Sequence, residues 1–233
     1  VITVADDLGA TGADLLLAAL AEAGARGDEV VLCLSGGTSP NAVLDRLPGR
    51  LPSDLRGRIR LTWTDERLVP YGGPWPGWDS AINRRAAHER WLSRDPGAVV
   101  EAPLWTGEGA PEAALAAWEL RWAALGSRID VLLLGFGPDG HLASLFPGHP
   151  ALAATGPAVL VSDAPKPPAA RISMTLPALA TATRVVGLCA GAEKGGVLRR
   201  ALAGDESLPL GRYVPRAVGW VVDRAAADAL EGS

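Results

Sequence analysis

The sequence predicts an α/β fold: a doubly wound, mostly parallel sheet with helices on both faces, in a single domain over residues 1–233. Three observations predict it. Short, β-branched apolar runs alternate with segments of helical periodicity along the chain. Alternation of that kind joins parallel strands through helical crossovers. Apolar residues make up 48% of 233, enough to bury a sheet in a length that suits one large domain.

The elements follow in order. Residues 15–27 (LLLAALAEAGARG) are helix formers that end in Gly. Residues 29–35 (EVVLCLS) form a short β-branched run before two glycines, a buried strand. PNAVLDRL opens a helix with Pro40 at its first position and Ser39 as its N-cap. Residues 58–64 (RIRLTWT) alternate polar and apolar side chains, as a strand does. DSAINRRAAHERWL and PEAALAAWELRWAAL have the spacing of amphipathic helices. Trp118 and Trp122 are four apart and share one face, which suits core or interface. IDVLLLGFG (129–137) is a second buried strand that runs into a Gly-rich turn. RVVGLCAG (184–191) and AVGWVVD (217–223) are two more, with helical EKGGVLRRALAG between them, and Arg171 leads another. The stretch LVPYGGPWPGWDS is the most irregular and reads as a functional loop. Its Trp75 and Trp78 would cover an interface or fill gaps. The sequence shows no internal repeat and no linker.

Composition narrows the function classes. Acidic residues number 26 against 22 basic ones, a net charge of −4 that argues against a nucleic-acid partner. Only Lys166 and Lys194 are lysines, so these two merit attention in a chain whose other cations are all arginines. Cys33 and Cys189 lie in apolar runs without a His or Cys at ligand spacing, which predicts buried thiols and no metal site. No apolar stretch approaches the ~18 residues of a membrane span. With no basic-then-apolar leader at Val1, a cytoplasmic location is expected.

In an open parallel sheet, ligands bind beyond the carboxyl ends of the strands. Three polar or glycine-rich segments fall there. In LSGGTSP, Gly36 and Gly37 stand at a strand-to-helix turn, and the amides around Gly37 and Thr38 with the Thr38 hydroxyl would cradle an anion. The same residues would also make a plain tight turn. It is neither a Walker motif nor a dinucleotide fingerprint. TDERLVP places Asp65, Glu66 and Arg67 at a strand end, either as a surface ion-pair cluster or with Arg67 forking onto a phosphate. GPDGHLASLFPG holds His141 beside Asp139 among glycines. Of the three histidines, His88 lies in a charged helical pattern and is expected to be solvated. His149 beside Pro150 is expected to be structural or exposed. His141 has the position and the near-neutral titration that general acid–base work needs. Lys166, among prolines in SDAPKPPAARISM, and Lys194, at a helix start, would be either surface charges or site residues.

SGGTSP, TDERLVP, GPDGHLASLFPG and DAPKPPAARIS, in that order, resemble the 6-phosphogluconolactonase family. The likeness by motif spans about residues 30–174 and continues loosely to Trp220 and Asp223. It implies a cytoplasmic pentose-phosphate-pathway enzyme that hydrolyses 6-phospho-D-glucono-1,5-lactone to 6-phosphogluconate with no metal or organic cofactor. The resemblance implies His141 and Asp65 as catalytic residues. It implies Gly36, Gly37, Thr38, Arg67, Lys166 and Arg171 as substrate-binding ones. Its partner is then a small sugar-phosphate lactone, with neither nucleic acid nor membrane, and the chain would be a monomer or homodimer. The sequence departs from the family at two places. Leu142 stands where Thr commonly follows the histidine, and Ala81 and Ile82 separate Ser80 from Asn83 where the family often has Ser-Asn, so both Ser80 and Asn83 stay outside the expected site.

A lactone is a reactive ester, so His141 acting on water would suffice, with Asp139 or Asp65 to orient the ring or the water. No G-x-S-x-G elbow is present, and Ser144 reads as a turn residue. Two alternatives stay open: an amino-sugar-phosphate deaminase or isomerase, which typically has Asp-Glu-Tyr in place of Asp65-Glu66-Arg67, and a non-catalytic sugar-phosphate-binding domain.

Overall fold

The structure, a computed structural model, describes residues 1–27, 29–72, 77, 79–213 and 218–232. Its elements in chain order are β1 (Ile2–Val4), α1 (Leu8–Gly24), β2 (Val30–Leu34), α2 (Thr38–Leu44), β3 (Ile59–Trp63), β4 (Asp65–Arg67) and α3 (Asn83–Arg90). Next come β5 (Val99–Glu101), α4 (Pro111–Ala124), β6 (Ile129–Leu134), β7 (Ala158–Val161), β8 (Arg171–Met174) and α5 (Leu176–Leu179). The chain closes with β9 (Ala182–Cys189), α6 (Ala192–Leu202), α7 (Pro209–Tyr213), β10 (Val218–Val222) and α8 (Arg224–Glu231).

Seven strands form one sheet in the order β1-β10-β9-β6-β2-β3-β5, and every neighbouring pair is parallel. Every residue of β2 and β6 is buried. Successive side chains on a strand point to opposite faces, so both faces of the sheet are covered, as expected of a doubly wound fold. From β2 the chain proceeds outward to β3 and β5, then returns to place β6 on the other side of β2. The order therefore reverses between β2 and β6, and a crevice opens at such a switch point.

A second, three-stranded antiparallel sheet, β4-β8-β7, was not expected from the sequence. The chain passes between the two sheets at Thr64. The Thr64 N–H still donates to Leu34 of β2, while its carbonyl accepts from Met174 of β8.

Several boundaries differ from the sequence reading. Helix α1 starts seven residues early because the Asp7 carboxylate accepts the Ala10 N–H at 2.9 Å and caps it. Helix α2 starts at Thr38 with Gly37 as its cap, so Ser39 lies inside the helix and is not the N-cap. Helix α3 is shorter than its periodic segment, beginning at Asn83 and ending at Arg90. Ala217, expected to open the last strand, lies outside the described residues, as do Trp75 and Trp78. Trp118 and Trp122 do share a buried face, with ring centroids 6.0 Å apart. Cys33 and Cys189 are buried and free. Among the described residues no helix is long and apolar enough to cross a membrane.

At the amino edge of the sheet, Asp130 is 2% exposed. Its carboxylate accepts the Val31 N–H at 2.8 Å and pairs with Arg26 at 2.8 Å. Asp130→Ala strands that amide in the core and is expected to cost about 1–3 kcal/mol. Thermal unfolding should register a fall of several degrees, with the carboxyl edge intact; an unchanged melting temperature would refute this role.

Candidate active site

The loops that leave β2, β3 and β6 converge with β8 and α6 around a cavity of about 190 Å³ at the carboxyl edge. Its floor is the turn after β2. Gly36 packs so closely there that an added Cβ would lie 2.1 Å from Asn83 Oδ1, and Gly37 holds φ at +117°, which favours glycine. Thr38 opens α2 at the same wall. The tight turn and the ligand-facing wall proposed for these residues thus coincide.

Asp65 and Glu66 follow one another on β4, and both are buried. Strand alternation sends them to different surroundings. Glu66 turns to α3: its Oε1 accepts the N–H groups of Arg67 and Asn83, and its Oε2 accepts that of Arg84, each at 2.8 Å. Burial pushes its carboxyl up to about 7, against the pull of those three amides. Asp65 faces the cavity. Its Oδ2 accepts the Ser144 hydroxyl at 2.7 Å, and its Oδ1 accepts from Thr64 Oγ1 and Asn83 Nδ2, each at 3.2 Å. This is a built-in buried cluster and not the surface ion pairing that the sequence left open.

His141 lies in the loop after β6, seven residues beyond the strand. Its Nδ1 bonds Asp139 Oδ1, and a carboxylate only accepts, so Nδ1 carries the proton. Among the described residues Nε2 has no protein partner, and the ring lines the cavity. Phe146 packs against it with centroids 4.8 Å apart. Burial pushes the imidazole below its ordinary 6.5, while the hydrogen bond and charge of Asp139, and the charge of Asp65, pull it up. Lys166 adds to the downward push. Neutral pH therefore finds a neutral ring with its Nε2 lone pair available. Asp139, not Asp65, is the carboxylate that orients it.

Three cations share the cavity with the imidazole. Arg67 and Arg171 are directly paired in register on β4 and β8, and both line the cavity. Like charges so placed repel, and an anion between them would offset that cost. Arg67 donates through Nη1 to the Ala81 carbonyl at 2.5 Å, and its buried Nε has no partner among the described residues. Arg171, 3% exposed, donates to the carbonyls of Pro168 and Lys166 at 2.9 and 2.7 Å and so ties down the Pro-rich loop. Lys194 also lines the cavity. Its Nζ sits 5.6 Å over the Phe136 ring, and burial pushes its ammonium below the ordinary 10.5.

Of the expected site residues, the fold gathers His141, Asp65, Gly36, Gly37, Thr38, Arg67 and Arg171 around one cavity. Lys166 is not on its wall; its ammonium pairs with Asp139 Oδ2 at 3.4 Å. The sequence reading omitted Asn83 and left Lys194 undecided, and both line the cavity. The Ser-then-Asn signal for Asn83 was present, displaced by two residues. Leu142 is buried in the core, apart from the cavity lining. His88 is not solvated as expected: its Nε2 pairs with Glu101 at 3.0 Å in a half-buried site. His149 is structural, bonding Asp163 and the Ala151 N–H.

A family model described as glucosamine-6-phosphate isomerases/6-phosphogluconolactonase matches residues 3–221. The chain is 37% identical over 234 residues to the 6-phosphogluconolactonase of Streptomyces coelicolor, covering 94% of this chain and 88% of that protein. The solved 6-phosphogluconolactonase of Trypanosoma brucei is similar at a TM-score of 0.78 and 25% identity, covering 98% of each chain. A monomeric glucosamine-6-phosphate deaminase shares the fold at a TM-score of 0.76 and 20% identity, with 98% of each chain covered.

The Asp139–His141 pair has a spectroscopic consequence. The His141 imidazole should titrate below 6.5 when followed by NMR. In Asp139→Asn the anion that favours the imidazolium is gone, so the midpoint should move lower still. A midpoint that stays put or rises would mean that Asp139 does not hold the ring.

Proposed function

The chain belongs to the glucosamine-6-phosphate isomerase/6-phosphogluconolactonase family, and we propose how its cavity hydrolyses 6-phospho-D-glucono-1,5-lactone to 6-phosphogluconate in the pentose phosphate pathway. One observation carries the mechanism. An imidazole whose Nδ1 is committed to Asp139, and whose Nε2 has no partner among the described residues, lines the same cavity as Arg67, Arg171 and Lys194.

In this reading the phosphate of the substrate sits against those cations and the amides at Gly37 and Thr38, in a geometry suited to phosphate recognition. Lys166 contributes through Asp139, to which it is paired. The lactone carbonyl then lies toward His141. Water attacks C1 as His141 Nε2 removes its proton, and the carbonyl π pair moves onto oxygen. Backbone N–H groups or a wall cation stabilise the resulting oxyanion. As the tetrahedral intermediate collapses, the bond from C1 to the ring oxygen breaks and the imidazolium returns the proton to that oxygen. The product acid then ionises to solvent. Asp65 and Asp139 are the anions that favour the imidazolium at the moment it forms, which is the catalytic part assigned to Asp65. Residues 1–233 act as one domain in the cytoplasm on this reading, and no step needs a metal or organic cofactor.

Hydrolysis is best followed with lactone generated freshly by glucose-6-phosphate dehydrogenase, with the spontaneous opening rate subtracted. His141→Asn removes the base and is expected to lower kcat by at least ~10²-fold while the fold survives. In the intact enzyme, kcat/KM should fall at acid pH with a midpoint below 6.5, since only the deprotonated ring accepts a proton. Normal turnover by the variant would remove His141 from the chemistry. Release of ammonia from glucosamine-6-phosphate would instead support the deaminase alternative, and ligand binding without turnover the binding-domain alternative.

A further inference from the structure

Ser144 is fully buried, yet it lies three residues beyond His141 in a loop that is otherwise apolar there. Its hydroxyl donates to Asp65 Oδ2 at 2.7 Å and accepts from Arg171 Nη1 at 3.4 Å. Its own N–H donates to Ser173 Oγ at 3.1 Å, so the loop is bonded to β8 at this residue. Arg171 and Asp65 themselves stand 4.0 Å apart, each almost fully buried. They are thus close enough to attract, and the Ser144 oxygen bridges them.

We propose that Ser144 is a positioning residue whose hydroxyl spaces Asp65 from Arg171, so that Arg171 keeps its charge available to the phosphate of the substrate. The inference rests on the lactonase reading above. A hydroxyl is suited to this task because it donates and accepts at once. Its proton satisfies the carboxylate and its lone pair satisfies the guanidinium. Two further donors of Arg171 are held by the Pro168 and Lys166 carbonyls, so the guanidinium has little freedom to find another partner. Without the hydroxyl, Asp65 Oδ2 and Arg171 Nη1 lose their shared partner and close on each other, because separated opposite charges in a buried site gain by contact. Arg171 then turns its charge inward, and the cavity loses one of its three cations.

The test is steady-state kinetics of Ser144→Ala on freshly generated lactone, with inorganic phosphate as a competitive inhibitor and thermal unfolding as the check on folding. The expected result is a rise of about 10-fold or more in KM and in the phosphate inhibition constant, as for loss of a hydrogen bond to a charged group. kcat should fall by less, and the acid limb should stay below 6.5 and shift slightly lower, because Asp65 paired with Arg171 pulls less on the imidazole. A residue that merely filled space would lower the melting temperature and leave KM and phosphate inhibition alone, and that outcome overturns the proposal. So does a fall in kcat at constant KM. Should Ser144→Ala fail to fold, Ser144→Cys keeps the volume with a weaker donor. It is expected to show an intermediate rise in both constants, and wild-type values there equally overturn the role. Wild-type turnover is measured first: its absence refutes the lactonase reading, whereas normal wild-type turnover with an indifferent Ser144→Ala refutes only the positioning role.

Discussion

Two consecutive carboxylates are buried at the crossing from the large sheet to the small one, and the site depends on how each is satisfied. A buried carboxylate without donors costs several kcal/mol. Glu66 obtains its donors from the amino end of α3, which places Asn83 against the Gly36 turn. Asp65 obtains its donors from Thr64, Asn83 and Ser144, which joins the loop after β6 to the strand after β3. The two sets of bonds set the separation of β4, α3 and the histidine loop, and the cavity is the space they leave. The small antiparallel sheet is part of the same arrangement. It carries β4 across to β8, and so sets Arg67 opposite Arg171.

The charges are then sorted by the chemistry they can support. Asp139 and Asp65 act on the imidazole, while Arg67, Arg171 and Lys194 line the cavity as cations, which suits the anion of the proposed substrate. Burial affects the two groups differently. It favours the neutral imidazole, which is the form that accepts a proton, and an imidazolium formed there meets two carboxylates ready to stabilise it. Burial also makes the opposed arginines costly in an empty cavity, a cost that a bound phosphate reverses. On the proposed mechanism, binding the substrate's charged end relieves the site and delivers the ester end to a base that needs no prior proton transfer.

Much of this arrangement could be read from the sequence because it rests on local patterns. Buried strands such as Val30–Leu34 and Ile129–Leu134 are apolar runs that end in glycine, and the rule that ligands gather at carboxyl ends leads directly to His141. What could not be read depends on contacts between distant segments. Ser144 and Asp65 are 79 residues apart, and no local spacing links them. Lys194 reaches the cavity only because β9 lies next to β6 in the sheet. The strand Asp65–Arg67 is three charged residues, which carry no strand signal, so the second sheet was invisible. The partner of His141 was ambiguous between two nearby aspartates until the geometry gave Nδ1 to Asp139.

The fold alone does not choose the reaction, since a glucosamine-6-phosphate deaminase shares it at a TM-score of 0.76. The choice rests on which lone pairs are free. Isomerising an aldose phosphate with loss of ammonia moves a proton between adjacent carbons, so it needs a base at the sugar carbon as well as an acid at the ring oxygen. In this cavity Asp65 is the carboxylate that could serve as such a second base, and three of its roughly four acceptor sites are already used by Thr64, Asn83 and Ser144. His141 Nε2 has no partner among the described residues and is the base that faces the cavity. Lactone hydrolysis asks for one base that takes a proton from water and returns it to the leaving oxygen. A ring nitrogen with no partner among the described residues, beside a wall of cations, meets that demand.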